Sequence, residues 1–193
     1  MTATSHVFFV SHPEVVVDPA IPVPRWHLSA TGIARMRAFA ERPALAGLAA
    51  VWASTETKAI EAAGILAARH GLPVGVNAAL GENDRSATGF LPPTEFEAVA
   101  DAFFARPEES VRGWERAVDA QARIVSALAD VLARAPEGAV AIVAHGGVGT
   151  LCLCHRLGVP IDRALDQKRQ GHVWTMERGT GRVLHRWRPL EEA

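Results

Sequence analysis

At 193 residues the chain can bury one sizeable core and is short for two ordinary domains. Its 49% hydrophobic and 21% charged residues are ordinary globular composition, which excludes disordered, collagenous and coiled-coil chains. Lys and Arg number 20 against 21 Asp and Glu, and a net charge of -1 gives no global field toward nucleic acid or an anionic membrane, so any phosphate recognition must be local.

Short β-rich runs alternate with longer Ala/Leu/Arg-rich stretches, the punctuation of an α/β fold. Val7 to Ser11 reads as a strand buried on both faces and stopped at His12-Pro13. After a proline-rich loop, Ser29 caps a helix to about Arg42 with Ile33, Met36 and Phe39 on one face. Leu48 to Ala53 is a second strand, followed at Ser54-Thr55 by a capped helix that carries Lys58 near its start. Pro73 to Asn77 is a weaker strand, and Leu80 to Pro93 is a loop rich in Gly, Pro and polar residues. Two helices are expected over Thr94 to Ala105 and Val111 to Ala135, the second ended by Gly138 with Val118, Ile124, Val125, Leu128 and Leu132 toward the core. Ala139 to Ala144 is the strongest strand signal and leads through His145-Gly146-Gly147 into an apolar helix to about Leu157. The tail reads as a hairpin, His172 to Glu177 with Arg182 to Trp187, which makes the sheet mixed.

Two histidines, His12 and His145, thus stand at the carboxyl ends of two strands, where ligands of open α/β sheets bind. With Lys58 on a nearby helix start, they form a candidate anion site. Other chemistries find weaker support: there is no Gly-x-Ser-x-Gly elbow, no phosphate-binding Gly-x-x-x-x-Gly-Lys-Ser/Thr loop, and no His-Glu-x-x-His zinc motif. Cys152 and Cys154, too close for an easy mutual disulfide, read as core packing and fit a reducing cytosol. No secretory leader or spanning helix is apparent, so a cytoplasmic location without membrane or nucleic-acid partners is expected.

The motifs, taken in order, resemble those of the histidine phosphatase superfamily, the clan of phosphoglycerate mutases and related phosphatases. Phe9-Val10-Ser11-His12-Pro13-Glu14 is similar to the family's strand ending in Arg-His-Gly-Glu, and Leu28-Ser29-Ala30-Thr31-Gly32 to its Leu-Thr-x-x-Gly helix start. Ser54-Thr55-Glu56-Thr57-Lys58-Ala59 resembles its Ser-x-x-x-Arg-Ala turn, Leu80-Gly81-Glu82 its Leu-x-Glu, and His145-Gly146 its second strand-end His-Gly. The resemblance implies a three-layer α/β/α sandwich with a mixed, mostly parallel, phosphoglycerate mutase-like sheet. It implies one domain over residues 1–193 with a variable loop or cap segment at about 80–113.

The same resemblance makes His12 the nucleophile that takes a phosphoryl group, Glu82 the proton donor and His145 a ligand of the phosphoryl oxygens, with Ser11, Lys58 and Gly146 at the phosphate. The expected activity is a phosphatase working through a phosphohistidine on a small phosphorylated metabolite, with no cofactor and no metal. A neutral imidazole is nucleophilic near pH 7, and a carboxyl such as Glu82 donates a proton once burial raises its pKa.

Three positions depart from the pattern. Ser11 and Lys58 stand where the family has arginines, and Pro13 replaces a glycine and removes a backbone N–H. Each lost guanidinium fork is worth about 10²-fold or more in rate. Arg25 or Arg85 from neighbouring loops is the candidate compensating charge, and His172 the candidate late-strand contributor. The alternative is an impaired family member that binds a phosphorylated or acidic ligand, or a protein, without turnover. A merely thinned clamp predicts that Ser11→Arg raises the rate, with Pro13→Gly added if that turn blocks the new side chain.

Overall fold

The computed structural model describes residues 5–193 and shows a six-stranded mixed sheet between two helical layers, the expected three-layer α/β/α sandwich. The strands are β1 (His6–Ser11), β2 (Leu48–Ala53), β3 (Val74–Val76), β4 (Ala139–Ala144), β5 (His172–Glu177) and β6 (Val183–Pro189). Across the sheet they run β3-β2-β4-β1-β5-β6, parallel from β3 to β1 and antiparallel at β5 and β6. The helices are α1 (Ala30–Ala40), α2 (Thr57–His70), α3 (Pro93–Ala105), α4 (Ala117–Arg134) and α5 (Gly146–Leu157).

The continuous apolar runs of β1 and β4 follow from burial on both faces. Val7 and Phe9 join one core with Ile124 and Leu128 of α4 and Leu151 of α5. Phe8 and Val10, one residue out of phase, join the other with Met36 and Phe39 of α1 and Leu66 of α2. Each fully buried side chain of this size contributes roughly 1.5–3 kcal/mol. β6, at the sheet edge, alternates between half-buried and exposed, as a one-sided strand should. Cys152 and Cys154 are both free and buried.

Three expected boundaries move. The helix expected from Val111 begins only at Ala117, because Val111–Gly113 is a 3-10 turn in which Arg112 and Gly113 take positive φ of 52° and 81°. That break turns Trp114 inward to 2% exposure, against Phe96 and Phe103, with its Nε1–H donating to Thr88 Oγ1 at 2.9 Å. The same helix stops at Arg134, one residue short of the expected Ala135. Its last carbonyls are collected by the Arg178 guanidinium, which donates to Leu132 O at 3.0 Å and Ala135 O at 2.8 Å, while Gly138 at φ 119° lies in the bend just before β4. At α2 the cap expected from Ser54-Thr55 is missing: the preceding residue is Glu56 and its side chain makes no cap. Ser29 does cap α1, accepting from the Gly32 N–H at 3.1 Å.

The parallel pairing places the site. Ala53 lies opposite Val143, and Ser11 opposite Ala144, so the next residues of β2, β4 and β1, namely Ser54, His145 and His12, emerge side by side beyond one sheet edge. The start of α1 is pressed against the turn after His12: a Cβ on Gly32 would fall 2.2 Å from the Glu14 carbonyl oxygen. Gly32→Ala is therefore expected to lower stability by about 1–3 kcal/mol, since backbone has to move. Urea denaturation checks this, and a loss below about 0.5 kcal/mol, the range of neutral surface changes, would contradict the close approach.

Candidate active site

His12 is 9% exposed, and its backbone N–H continues the β1–β4 ladder by donating to Ala144 O at 3.1 Å. Its Nδ1 lies 2.9 Å from Pro13 O. A carbonyl only accepts, so Nδ1 carries the proton and the lone pair is on Nε2. Pro13, which removes a donor from the turn, thus supplies the acceptor that sets the tautomer of its neighbour. The His12 and His145 rings meet edge to face with centroids 5.3 Å apart.

His145 is 1% exposed, and its Nε2 is 2.8 Å from Ser54 Oγ and 3.2 Å from Glu56 Oε1. Its Nδ1 is sealed and has no partner among the described residues. Lys58, 3% exposed, donates to Glu56 Oε2 at 2.5 Å and to Val23 O at 2.9 Å. Glu56 was not singled out by the sequence patterns. Its signal was only its place in the same turn as Ser54 and Lys58, and it accounts for the missing helix cap: its carboxylate points at the strand-end groups instead.

Ser11 is fully buried. Its Oγ donates to Gln167 Oε1 at 2.5 Å and accepts the His172 N–H at 3.0 Å. Gln167 also covers Gly146, where a Cβ would sit 2.3 Å from its Nε2. Position 11 is packed, so an arginine there would have to displace Gln167 and the His172 backbone contact. His172 is 4% exposed and reaches this network through its backbone N–H; its Nδ1 has no partner among the described residues.

Glu82 reaches the start of α5. Its Oε2 accepts from Gly147 N at 3.1 Å, and its Oε1 from Val148 N at 2.9 Å and Asn83 N at 3.1 Å. The carboxylate therefore fills the helix N-terminus, the place where an anion would be favoured. Arg85 approaches it at 3.9 Å and lies over the rings of Phe96 at 5.1 Å and Trp114 at 5.4 Å. Arg25 is exposed, and no hydrogen bond or ion pair joins it to the histidines. Of the two candidate compensating charges, Arg85 is the one that approaches a candidate site residue, Glu82.

A second arginine absent from the sequence reading, Arg35 of α1, ties the surrounding segments together. It donates to Glu14 Oε1 at 2.6 Å, Gln170 O at 3.0 Å, Gly171 O at 2.9 Å and Glu191 Oε2 at 3.0 Å, and the Gly171 N–H in turn donates to His12 O at 3.1 Å. A groove of about 840 Å³ between α1 and α2 carries none of the expected site residues.

Burial dominates the electrostatics. It pushes His12 down to about 3, helped by His145 and Lys58, and His145 down to about 4 against the pull of Glu56. Burial acts to raise Glu56, but His145 and Lys58 outweigh it and hold the carboxyl at about 2. Near pH 7 the cluster is two neutral imidazoles, one carboxylate and one ammonium. Among the described residues no group of His, Cys, Asp and Glu is arranged to hold a metal ion, and no helix is long and apolar enough to cross a membrane.

The family model described as histidine phosphatase superfamily (branch 1) matches residues 23–187. Comparison with curated protein sequences finds no match. Among solved structures, a mycobacterial glucosyl-3-phosphoglycerate phosphatase is 21% identical with a TM-score of 0.74, covering 96% of this chain and 97% of that one. Bacillus stearothermophilus YhfR is 22% identical with a TM-score of 0.78, over 94% of each chain. The alpha-ribazole phosphatase of Shigella flexneri is 16% identical with a TM-score of 0.68, over 96% of each chain. At these identities the likeness shows the fold.

The buried imidazoles have a consequence for stability. With both folded values depressed below 6.5, the unfolded chain binds protons that the folded chain does not, so stability is fully present above about pH 6.5 and is lost as pH falls toward 4 and 3. Each histidine contributes a slope of up to about 1.4 kcal/mol per pH unit. Glu56 loses stability in the same direction only below its ordinary 4.5, so the window from 6.5 to 4.5 reports histidines, with His172 and His185, also lowered by burial, adding to the slope. His12→Asn should remove a large part of that slope in urea denaturation at pH 7, 6 and 5; an unchanged slope would mean that His12 titrates normally in the folded chain.

Proposed function

Because the chain belongs to the histidine phosphatase superfamily, we propose that it hydrolyses a small phosphomonoester through a phosphohistidine at His12. The observation that carries this reading is the His12–Pro13 hydrogen bond, which leaves the Nε2 lone pair as the nucleophile beside His145. Nε2 attacks phosphorus and the bond from phosphorus to the ester oxygen breaks, the leaving oxygen departing as its anion or with a proton from Glu82. The positive charge that develops on the phosphorylated ring is delocalised onto Nδ1–H, where Pro13 O accepts it. Water then attacks the phosphohistidine, releases inorganic phosphate and returns the neutral imidazole. The imidazole supplies the nucleophile, so the reading requires no metal.

Solved structures of the mycobacterial phosphatase include complexes with VO3 and with inorganic phosphate, which makes both ions suitable probes. Proton delivery is the weak step. Glu82, the proposed donor, would have to take up a proton while facing three backbone N–H groups. Leaving groups that depart without a proton are favoured, and a cytoplasmic metabolite phosphate with an acidic leaving group suits the site best.

A second reading, a member that binds a phosphorylated ligand without turnover, is favoured by one contact: the Lys58 ammonium is already neutralised by Glu56. Metal-free assays with p-nitrophenyl phosphate separate the two. Catalysis predicts turnover that survives chelator, exceeds that of an alkyl phosphate, and falls by about 10³-fold or more in His12→Ala. Phosphate binding with no turnover by the parent would support the binder, and full activity in His12→Ala would remove His12 from the chemistry. Ser11→Arg should lower activity, since the new side chain displaces Gln167 and the His172 backbone contact; a rise in kcat would show instead that the packing at position 11 yields.

A further inference from the structure

Lys58 and His145 are two of the groups expected at the phosphate, and in the folded chain a single carboxylate engages both. Glu56 Oε2 accepts from Lys58 Nζ at 2.5 Å, and Oε1 lies 3.2 Å from His145 Nε2 while accepting the Glu82 N–H at 3.1 Å. The side chain is 11% exposed, and among the described residues no other acid pairs with Lys58 or His145. A carboxylate and a phosphoryl group draw on the same donors through the same charge-assisted bonds.

We propose that Glu56 is a resident stand-in for the substrate anion, a specificity-determining residue that must be displaced from Lys58 and His145 before a phosphoryl group can bind there. This inference rests on the proposed phosphatase or phosphate-binding reading of the pocket. Its chemical consequence is discrimination by charge and by size. A bare phosphate dianion has to evict a carboxylate and then lie beside it, so like-charge repulsion in a poorly solvated site opposes the exchange. A phosphomonoester carries an organic group whose contacts with the surrounding wall offset that opposition. One side chain near the site is suited to such contacts: Arg85, 3.9 Å from Glu82, lies across the ring of Phe96. The pocket would therefore take organic phosphomonoesters and release inorganic phosphate readily.

The test is the affinity of inorganic phosphate by calorimetry for the parent, Glu56→Gln and the double variant Glu56→Gln with Lys58→Met. Glu56→Gln keeps the shape and removes the charge, and should bind phosphate 10-fold to 100-fold more tightly than the parent. The double variant should lose that gain, because the freed ammonium is what the ion uses. Equal affinity in parent and Glu56→Gln, or a gain that persists without Lys58, overturns the proposal. A crystal of the parent soaked in inorganic phosphate keeps the question open to refutation even if the variants do not fold. The proposal expects an ion beside His12 with the Glu56–Lys58 contact broken, and an ion seated there with that contact intact refutes it. Tight binding to parent and variant alike sinks only the role of Glu56, whereas no phosphate at His12 in any of these proteins sinks the function proposed for the pocket along with it.

Discussion

The parallel pairing of β1 with β4 is the constraint from which the site follows. Ser11 lies opposite Ala144, and the ladder runs one residue further through the His12 N–H to Ala144 O, so the two histidines leave neighbouring strands at the same height. β2, on the other side of β4, adds Ser54 at the same level through its N–H to Val143 O at 3.3 Å. A slip of one residue of β1 against β4 would turn Val10 and Phe9 to the wrong helical layers, so the two cores that stabilise the sandwich also fix the positions of the polar groups at its edge. The geometry of the site is thereby bound to the burial of the strands that carry it.

Placing ionisable groups at the ends of buried strands has an electrostatic cost, and the molecule meets it by internal compensation. The imidazoles stay neutral, Lys58 is paired with Glu56, and Glu82 is held by backbone N–H groups at the start of α5. Burial of an unpaired ammonium or carboxylate would cost several kcal/mol, so these pairings are what lets the polar cluster exist beneath the surface. The same compensation leaves little free charge for a ligand. Arg85, stacked on aromatic rings and only 3.9 Å from one carboxylate oxygen, is the nearby guanidinium with the least committed donors.

Much of this was legible in the sequence because the signals were local. The strand limits at Leu48–Ala53 and Ala139–Ala144 follow from short apolar runs bounded by polar or turn residues, and strand ends put His12 and His145 where ligands bind. What escaped depended on contacts distant in the chain. The late start of α4 is set by Trp114 packing on Phe96 and Phe103, which outweighs the helical periodicity of residues 111–116. Gln167 acts on Ser11 across 156 positions, and Arg35 on Gly171 and Glu191 across 136 and 156, and no local pattern announces such partners. Glu56 was close in sequence to Lys58, but a glutamate at a helix start reads as favourable to the helix dipole, and only the fold shows it turned toward the histidines.

Set against those distant partners, Ser11, Pro13 and Lys58, which the sequence reading takes as departures from the family pattern, each make contacts that bear on the same cluster. Where an arginine side chain would fill the space beside His12, the small Ser11 lets Gln167 lie across Gly146 and takes the His172 N–H, closing the gap with neutral hydrogen bonds. Pro13 gives up its N–H, yet its carbonyl holds the His12 ring in the nucleophilic tautomer. Lys58 replaces a fork with a point charge, and a point charge can be satisfied by one carboxylate oxygen and one carbonyl, as Glu56 and Val23 do here. Restoring one arginine alone would therefore meet a pocket built for its absence: a cation at position 11 has no acceptor there but an amide and a hydrogen-bonded turn. In the function proposed for this pocket, charge specificity would belong to the linked set Ser11, Gln167, Glu56 and Lys58, and would change through the carboxylate that engages Lys58 and His145.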